Sequence, residues 1–293
     1  RTDANGNLLS RSNGIESDAY TFDARNRLVH ADLEIGGVSS VAYTYDEDGV
    51  RTSSTSGGTT TEYVTDKGFA HAQVLLEKTG ASTVAYTLGL ARIARRVDAL
   101  PAGFFLADGQ ASTRHLVSAA GAVTDAYTFD AFGRLLASSG SSDNAFLYAG
   151  EQLDPNVGFY YLRARWYDQS TGRFASPDPK PGSIYDPPSL HRYLYVRSSP
   201  VDRRDPSGLE NVPSLSAAAA IAGTLATIAG IGTYAYTHNG GLAIAVSAGV
   251  FAASFVAVYG VAATVAWAQN IFYQWVSVVA PGAYVTQQYL SRA

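Results

Sequence analysis

The chain has 293 residues, a formal net charge of −4, and neither cysteine nor methionine. That length holds one large domain or two ordinary ones. Without cysteine there are no disulfides and no thiolate metal sites, and the acidic balance argues against a nucleic-acid surface. The five histidines are scattered without ligand spacing, and the glycine-rich pieces lack the strand–glycine–helix context of a phosphate site, so no cofactor, metal or nucleotide is expected.

The chain opens inside a turn-like run, Asp3-Ala4-Asn5-Gly6-Asn7. This reads as a start well downstream of the native N-terminus, so a missing leader carries no information about export. An internal repeat follows. Tyr20-Thr21-Phe22-Asp23, Tyr43-Thr44-Tyr45-Asp46 and Tyr127-Thr128-Phe129-Asp130 share one pattern, and degenerate copies begin near Tyr63, Tyr86 and Phe105. Successive starts are 23, 20, 23, 19 and 22 residues apart. Aromatics alternating with threonine suit a pleated, half-buried strand, and Asp with a following Gly or Asn supplies the turn. Each unit therefore predicts a strand pair. One pair cannot bury its apolar face alone, whereas stacked pairs can. Gly57-Gly58 and the run from Ser138 to Asp143 are expected as loop tips.

A denser segment runs from Phe146 to Leu209. It contains Gly158-Phe159-Tyr160-Tyr161-Leu162-Arg163-Ala164-Arg165-Trp166-Tyr167-Asp168, then Gly172-Arg173-Phe174, then Pro177-Asp178-Pro179, and it ends on Asp205-Pro206-Ser207-Gly208-Leu209. Its prolines at 177, 179, 181, 187, 188, 200 and 206 forbid long helices and central strands, which leaves short strands and rigid turns.

Beyond Glu210 the texture changes. Arg292 is the one charged residue that remains, whereas the chain average of 16% charged residues would put roughly 13 charges in residues 211–291. Residues 215–236 form an apolar run about 33 Å long as a helix, which matches a hydrocarbon core. His238-Asn239-Gly240-Gly241 reads as a turn, and residues 242–268 form a second apolar run. Small residues such as Gly223, Gly230, Ala245 and Gly249 permit close helix contact, and Tyr236, Trp267 and Trp275 lie near the expected ends. The tail is therefore expected to be an α-helical transmembrane hairpin. It has no Asp, Lys or Cys, so it offers little to nuclease, deaminase or ADP-ribosylating chemistry.

The repeats and the segment from Gly158 to Leu209 resemble the Rhs/YD-repeat family of bacterial polymorphic toxins and of the C subunits of insecticidal toxin complexes. The resemblance covers residues 1–209. It implies a mainly β fold: a YD-repeat sheet over residues 1–145, an Rhs-associated core over 146–209, and the apolar tail over 210–293 as toxin or membrane segment. A sheet of this length is too short to close a shell alone, so most of the wall is expected upstream. In the family the core cuts its own chain just after Asp-Pro-x-Gly-Leu. Carried over, the cut falls between Leu209 and Glu210, with Asp178, Asp205 and Arg165 as the residues linked to it. Where the family often has an Asn-Asn-Pro turn, this chain has Ser198-Ser199-Pro200.

Those residue types suit that chemistry. Peptide hydrolysis by carboxylates needs one group ionised and one protonated, which two closely held aspartates provide. One activates water and the other donates a proton, while an arginine holds a partner ionised or stabilises the oxyanion. Asp178 and Asp205 lie 27 residues apart, so only the fold can join them. Asp168, Asp186 and Asp202 are the nearby competitors. The leading expectation is a secreted or surface-delivered effector that frees a membrane-inserting, pore-forming tail, single turnover, with its own tail as substrate and cargo. The target-cell membrane, an immunity protein and a secretion-system spike or adaptor are the further partners that the resemblance implies. The alternative is a surface-anchored structural or adhesion protein with the tail as a plain transmembrane anchor.

Overall fold

Each aromatic–Thr–aromatic–Asp unit folds as a strand that ends in one recurring turn. The computed structural model describes residues 1–34, 40–89 and 91–214, together with Ile244 and Ser247, both in helical backbone. Arg1–Leu215 form one compact unit and Ser216–Ala293 a second. The first unit opens with β1 (Ser10–Ser12), β2 (Ser17–Phe22), β3 (Leu28–Asp32), β4 (Ser40–Tyr45), β5 (Arg51–Ser56), β6 (Thr59–Asp66) and β7 (Gln73–Thr79). It continues with β8 (Ser82–Leu88), β9 (Arg92–Val97), β10 (Gly103–Ala107), β11 (Thr113–Ser118), β12 (Val123–Phe129) and β13 (Leu135–Ser139). These thirteen strands form a single antiparallel sheet in sequential order. The six repeat starts fall on β2, β4, β6, β8, β10 and β12, so every repeat supplies one hairpin.

The repeat aspartate builds the turn. Asp23 Oδ1 accepts the N–H groups of Arg25 (2.9 Å) and Arg27 (3.0 Å), and Asp130 Oδ1 accepts those of Phe132 and Arg134, each at 2.9 Å. Three residues past each aspartate the backbone turns left-handed, at Asn26 (φ 59°), Gly49 (φ 83°) and Gly133 (φ 89°). Gly and Asn tolerate that region, which is why the motif carries them there. A register shift sits near the end of all six repeat strands, for example between Thr21 and Phe22 and between Thr128 and Phe129. Bulges add local twist and bend the strand that carries them. Gly57 and Gly58 form the expected tip between β5 and β6. Ser138 and Ser139, expected in a loop, instead end β13, paired with Tyr127 and Ala126. Cross-strand pairing outweighs the weak strand preference of serine there.

A second sheet lies inside the first unit: β14 (Gln152–Asp154), β15 (Phe159–Leu162), β16 (Arg165–Asp168) and β17 (Arg173–Phe174), in that order. Every residue of β15 and β16 is buried, so both faces are covered. Phe159, Tyr161 and Trp166 pack with Tyr20, Val41 and Tyr43 of the large sheet. Tyr160, Leu162 and Tyr167 pack with Leu116, Tyr127 and Phe129. The small sheet is thus clasped between the early and the late strands of the large one. Tyrosine hydroxyls fix the register: Tyr160 donates to the Gly133 carbonyl at 3.1 Å and Tyr167 to that of Phe132 at 2.8 Å. Buried Arg51 sits among Tyr63, Tyr161 and Trp166 and pairs with Asp154 at 3.3 Å.

The proline-rich stretch forms short pieces, as expected: 3-10 turns at Pro187–Leu190 and Tyr195–Ser198, and a two-residue strand pair, β18 (Arg203–Arg204) with β19 (Val212–Pro213). Among the described residues no helix is long and apolar enough to cross a membrane. The two apolar runs expected to form a hairpin lie outside the described residues, apart from Ile244 and Ser247.

Candidate active site

Arg165 begins β16, straight after the tight Arg163-Ala164 loop that joins it to β15. Its guanidinium lies 3.7 Å over the Phe174 ring and is almost fully buried. Buried charge requires partners, and Arg165 has them on three sides. Nη2 meets Asp178 Oδ2 at 3.0 Å and Asp205 Oδ2 at 3.7 Å. Nε donates to the Gly208 carbonyl and Nη1 to that of Arg192 at 3.2 Å. The fold therefore brings together, around one guanidinium, the three residues to which the family resemblance pointed.

The two carboxyls differ in surroundings. Asp178 follows β17 in the Pro177-Asp178-Pro179 turn, held by its N–H to the Arg192 carbonyl (2.8 Å) and by Arg192 Nε to its own carbonyl (2.7 Å). Its side chain is 23% exposed. Asp205 is 2% exposed and lies inside the loop that it begins. Its Oδ1 accepts the N–H of Leu209 at 3.1 Å, the N–H of Glu210 at 2.9 Å and the Ser207 hydroxyl at 3.3 Å. The Glu210 nitrogen is the amide nitrogen of the expected cleavage joint. Burial pushes the Asp205 carboxyl up to about 6, against the opposing pull of the Glu210 N–H and Arg165. Burial likewise pulls the Arg165 guanidinium below its ordinary value.

The loop around Asp205 is pinned from outside. Arg163, in left-handed backbone (φ 59°), donates to the Pro206 carbonyl at 2.5 Å and pairs with Glu151 at 2.6 Å. Ala164 N–H donates to the Ser207 carbonyl at 3.1 Å. Gly208 has φ 76°, and a Cβ there would stand 2.4 Å from the Leu162 carbonyl oxygen. Only glycine lets the loop pass this close to the β15–β16 turn. Arg165, Asp178, Asp205, Leu209, Glu210 and Asn211 line a shared cavity of about 280 Å³.

The competitors are engaged elsewhere. Asp168 accepts from Ser170 and Thr171, and Asp202 meets Ser199. Asp186 lines the cavity but pairs with Arg197 at 2.6 Å. Three residues at the site carry no readable signal in the sequence: His71, 3.8 Å from the Glu210 carboxylate; Arg163, one arginine in a basic run; and Asn211. His71 comes from the β6–β7 connection, so nothing local marks it.

Comparison with known proteins agrees with this architecture. The Teneurin YD-shell family model matches residues 2–201. The tRNA3(Ser)-specific nuclease WapA of Bacillus spizizenii is 30% identical over 210 residues, covering 70% of this chain and 9% of that protein. The toxin subunit YenC1 of Yersinia entomophaga is 38% identical over 69 residues, 24% of this chain and 7% of that one. The chain thus spans under a tenth of these relatives' length. The TcdB2-TccC3-Cdc42 crystal structure shares the fold, with a TM-score of 0.56 at 20% identity over 71% of this chain and 11% of that chain. With a thirteen-stranded, repeat-built sheet clasping a buried inner sheet, and a family match over most of its length, this chain belongs to the Rhs/YD-repeat shell proteins.

Proposed function

We propose that this protein is the C-terminal part of a self-cleaving toxin shell, which hydrolyses its own Leu209–Glu210 bond and so separates the apolar tail. The observation that carries the reading is the Asp205 carboxyl on the Glu210 amide nitrogen at 2.9 Å, with Arg165 joining it to Asp178. Asp178, the more exposed carboxylate, takes a proton from water, and the hydroxyl oxygen attacks the Leu209 carbonyl carbon. Asp205, which burial holds protonated further up the pH scale, gives its proton to the Glu210 nitrogen as the C–N bond breaks. Arg165 pairs with the Asp178 carboxylate and, through the Gly208 carbonyl, holds the loop in place. The substrate is tethered in cis, which gives a large proximity advantage and a single turnover.

The freed segment is read as membrane-active. Residues 211–291 carry no charge, and a charge at a bilayer centre costs about 2.5–3.5 kcal/mol on insertion scales, so an uncharged run is what a membrane selects. The WapA relatives are named as tRNA nucleases, yet residues 211–293 have no Asp, Glu or Lys to serve such a reaction. The test uses the whole chain with anionic phospholipid vesicles loaded with a dye. Wild type is expected to run as two pieces on a denaturing gel and to release the dye, whereas Asp178→Asn stays whole. Uncut wild type embedded in vesicles without leakage would support the plain-anchor alternative instead.

A further inference from the structure

Asn211 stands two residues past the expected cut, between Glu210 and the short strand β19. Its backbone is held, because its carbonyl accepts from Arg203 Nη1 at 3.4 Å and the next residue, Val212, pairs with Arg204. Its side chain is not. Both Nδ2 and Oδ1 are buried, and neither has a hydrogen-bond partner among the described residues. Buried amides are almost always satisfied, so a side chain with both ends open marks a place for a group that can donate and accept at once. Asn211 lines the same cavity as Asp178, Asp205, Arg165 and the Leu209–Glu210 joint. Hydrolysis there requires one small molecule that both donates and accepts, and that molecule is water.

We infer that Asn211 is a positioning residue that holds the attacking water between its own side-chain amide and the Asp178 carboxylate, facing the Leu209 carbonyl carbon. This rests on the reading of Leu209–Glu210 as the cleaved joint. Asn211 Oδ1 accepts one water proton and Nδ2 donates to the water oxygen, so the second proton points to Asp178. On attack that proton passes to Asp178, the oxygen bonds to the Leu209 carbonyl carbon, the C–N bond to Glu210 breaks, and the Asp205 proton goes to the departing nitrogen. Water and one peptide bond become one carboxylic acid and one amine.

The test follows cleavage of the full chain after refolding, by gel and by intact mass, across pH. Asn211→Leu keeps the side-chain size and removes both polar ends. It is expected to slow cleavage by about 10²-fold, with the pH midpoint still near the Asp205 value of about 6. Asn211→Ser, with one hydroxyl, is expected to fall between Leu and wild type. A merely structural role would loosen the Asp205 loop, admit solvent and move that midpoint downward. Wild-type cutting with Asn211→Leu equally fast, or slow with a displaced midpoint, would overturn the inference alone. Wild type that never cuts would overturn the reading beneath it. Should Asn211→Leu fail to fold, the Ser variant decides: wild-type rate refutes, an intermediate rate with an unmoved midpoint supports.

Discussion

Asp205 is the residue on which proton chemistry and stability meet. Its folded-state value, about 6, lies above the ordinary 3.8, so the folded protein holds this proton more tightly than the unfolded chain. The stability this contributes is fully present below the ordinary value and is lost as pH rises through about 6. Urea unfolding of the uncut Asp178→Asn chain is therefore expected to show stability declining across that window, and adding Asp205→Asn should flatten the decline. Cleavage of wild type should fall over the same range, as the acid loses its proton. Gly208→Ala places a Cβ against the Leu162 carbonyl in left-handed backbone. It should slow cleavage at least tenfold and lower stability by about 1–3 kcal/mol. Of the site, Asp178, Asp205 and Arg165 were readable only through the family resemblance, because the 26 intervening residues carry no local sign that two turn aspartates meet. Asn211 and His71 were not readable at all, since their roles come from a cavity and a distant loop.

At the scale of elements, the repeats were legible because one physical unit recurs: an inward aromatic, an outward threonine and an aspartate that caps its own turn. Tyr20, Tyr43, Tyr86 and Tyr127 are buried while Thr21, Thr44, Thr87 and Thr128 are exposed. Asp23→Ala removes the one oxygen that accepts the N–H groups of Arg25 and Arg27, and with it the Arg27 ion pair. Thermal or urea unfolding of that variant should show a loss of about 1–2 kcal/mol. The two-faced burial of β15 and β16 was less legible, because a short aromatic run has no periodicity that separates one covered face from two. Its consequence is measurable. Trp166→Ala empties the contact with Tyr43 (ring centroids 4.7 Å apart) and Tyr161 (5.1 Å), and should cost about 3–5 kcal/mol. Since the same strand carries Arg165, the variant should also lose cleavage, whereas Asp23→Ala should keep it.

The whole molecule joins a polar, sheet-built unit to a segment with almost no charge. The large sheet clasps the inner sheet, the inner sheet carries Arg165, and Arg165 collects the two acids beside the loop that leads into the tail. The order of that chain of contacts explains why the site sits at residues 205–210 and not within the repeats. It also makes the Leu209–Glu210 joint the place where the account is most exposed to test. Intact-mass measurement of the freshly refolded full chain, beside Asp178→Asn and Asp205→Asn, addresses it directly. The account predicts two fragments from wild type, one ending at Leu209 and one beginning at Glu210, and a single full-length mass from either variant. A wild-type chain that stays whole, or a cut at that joint in either variant, would contradict it.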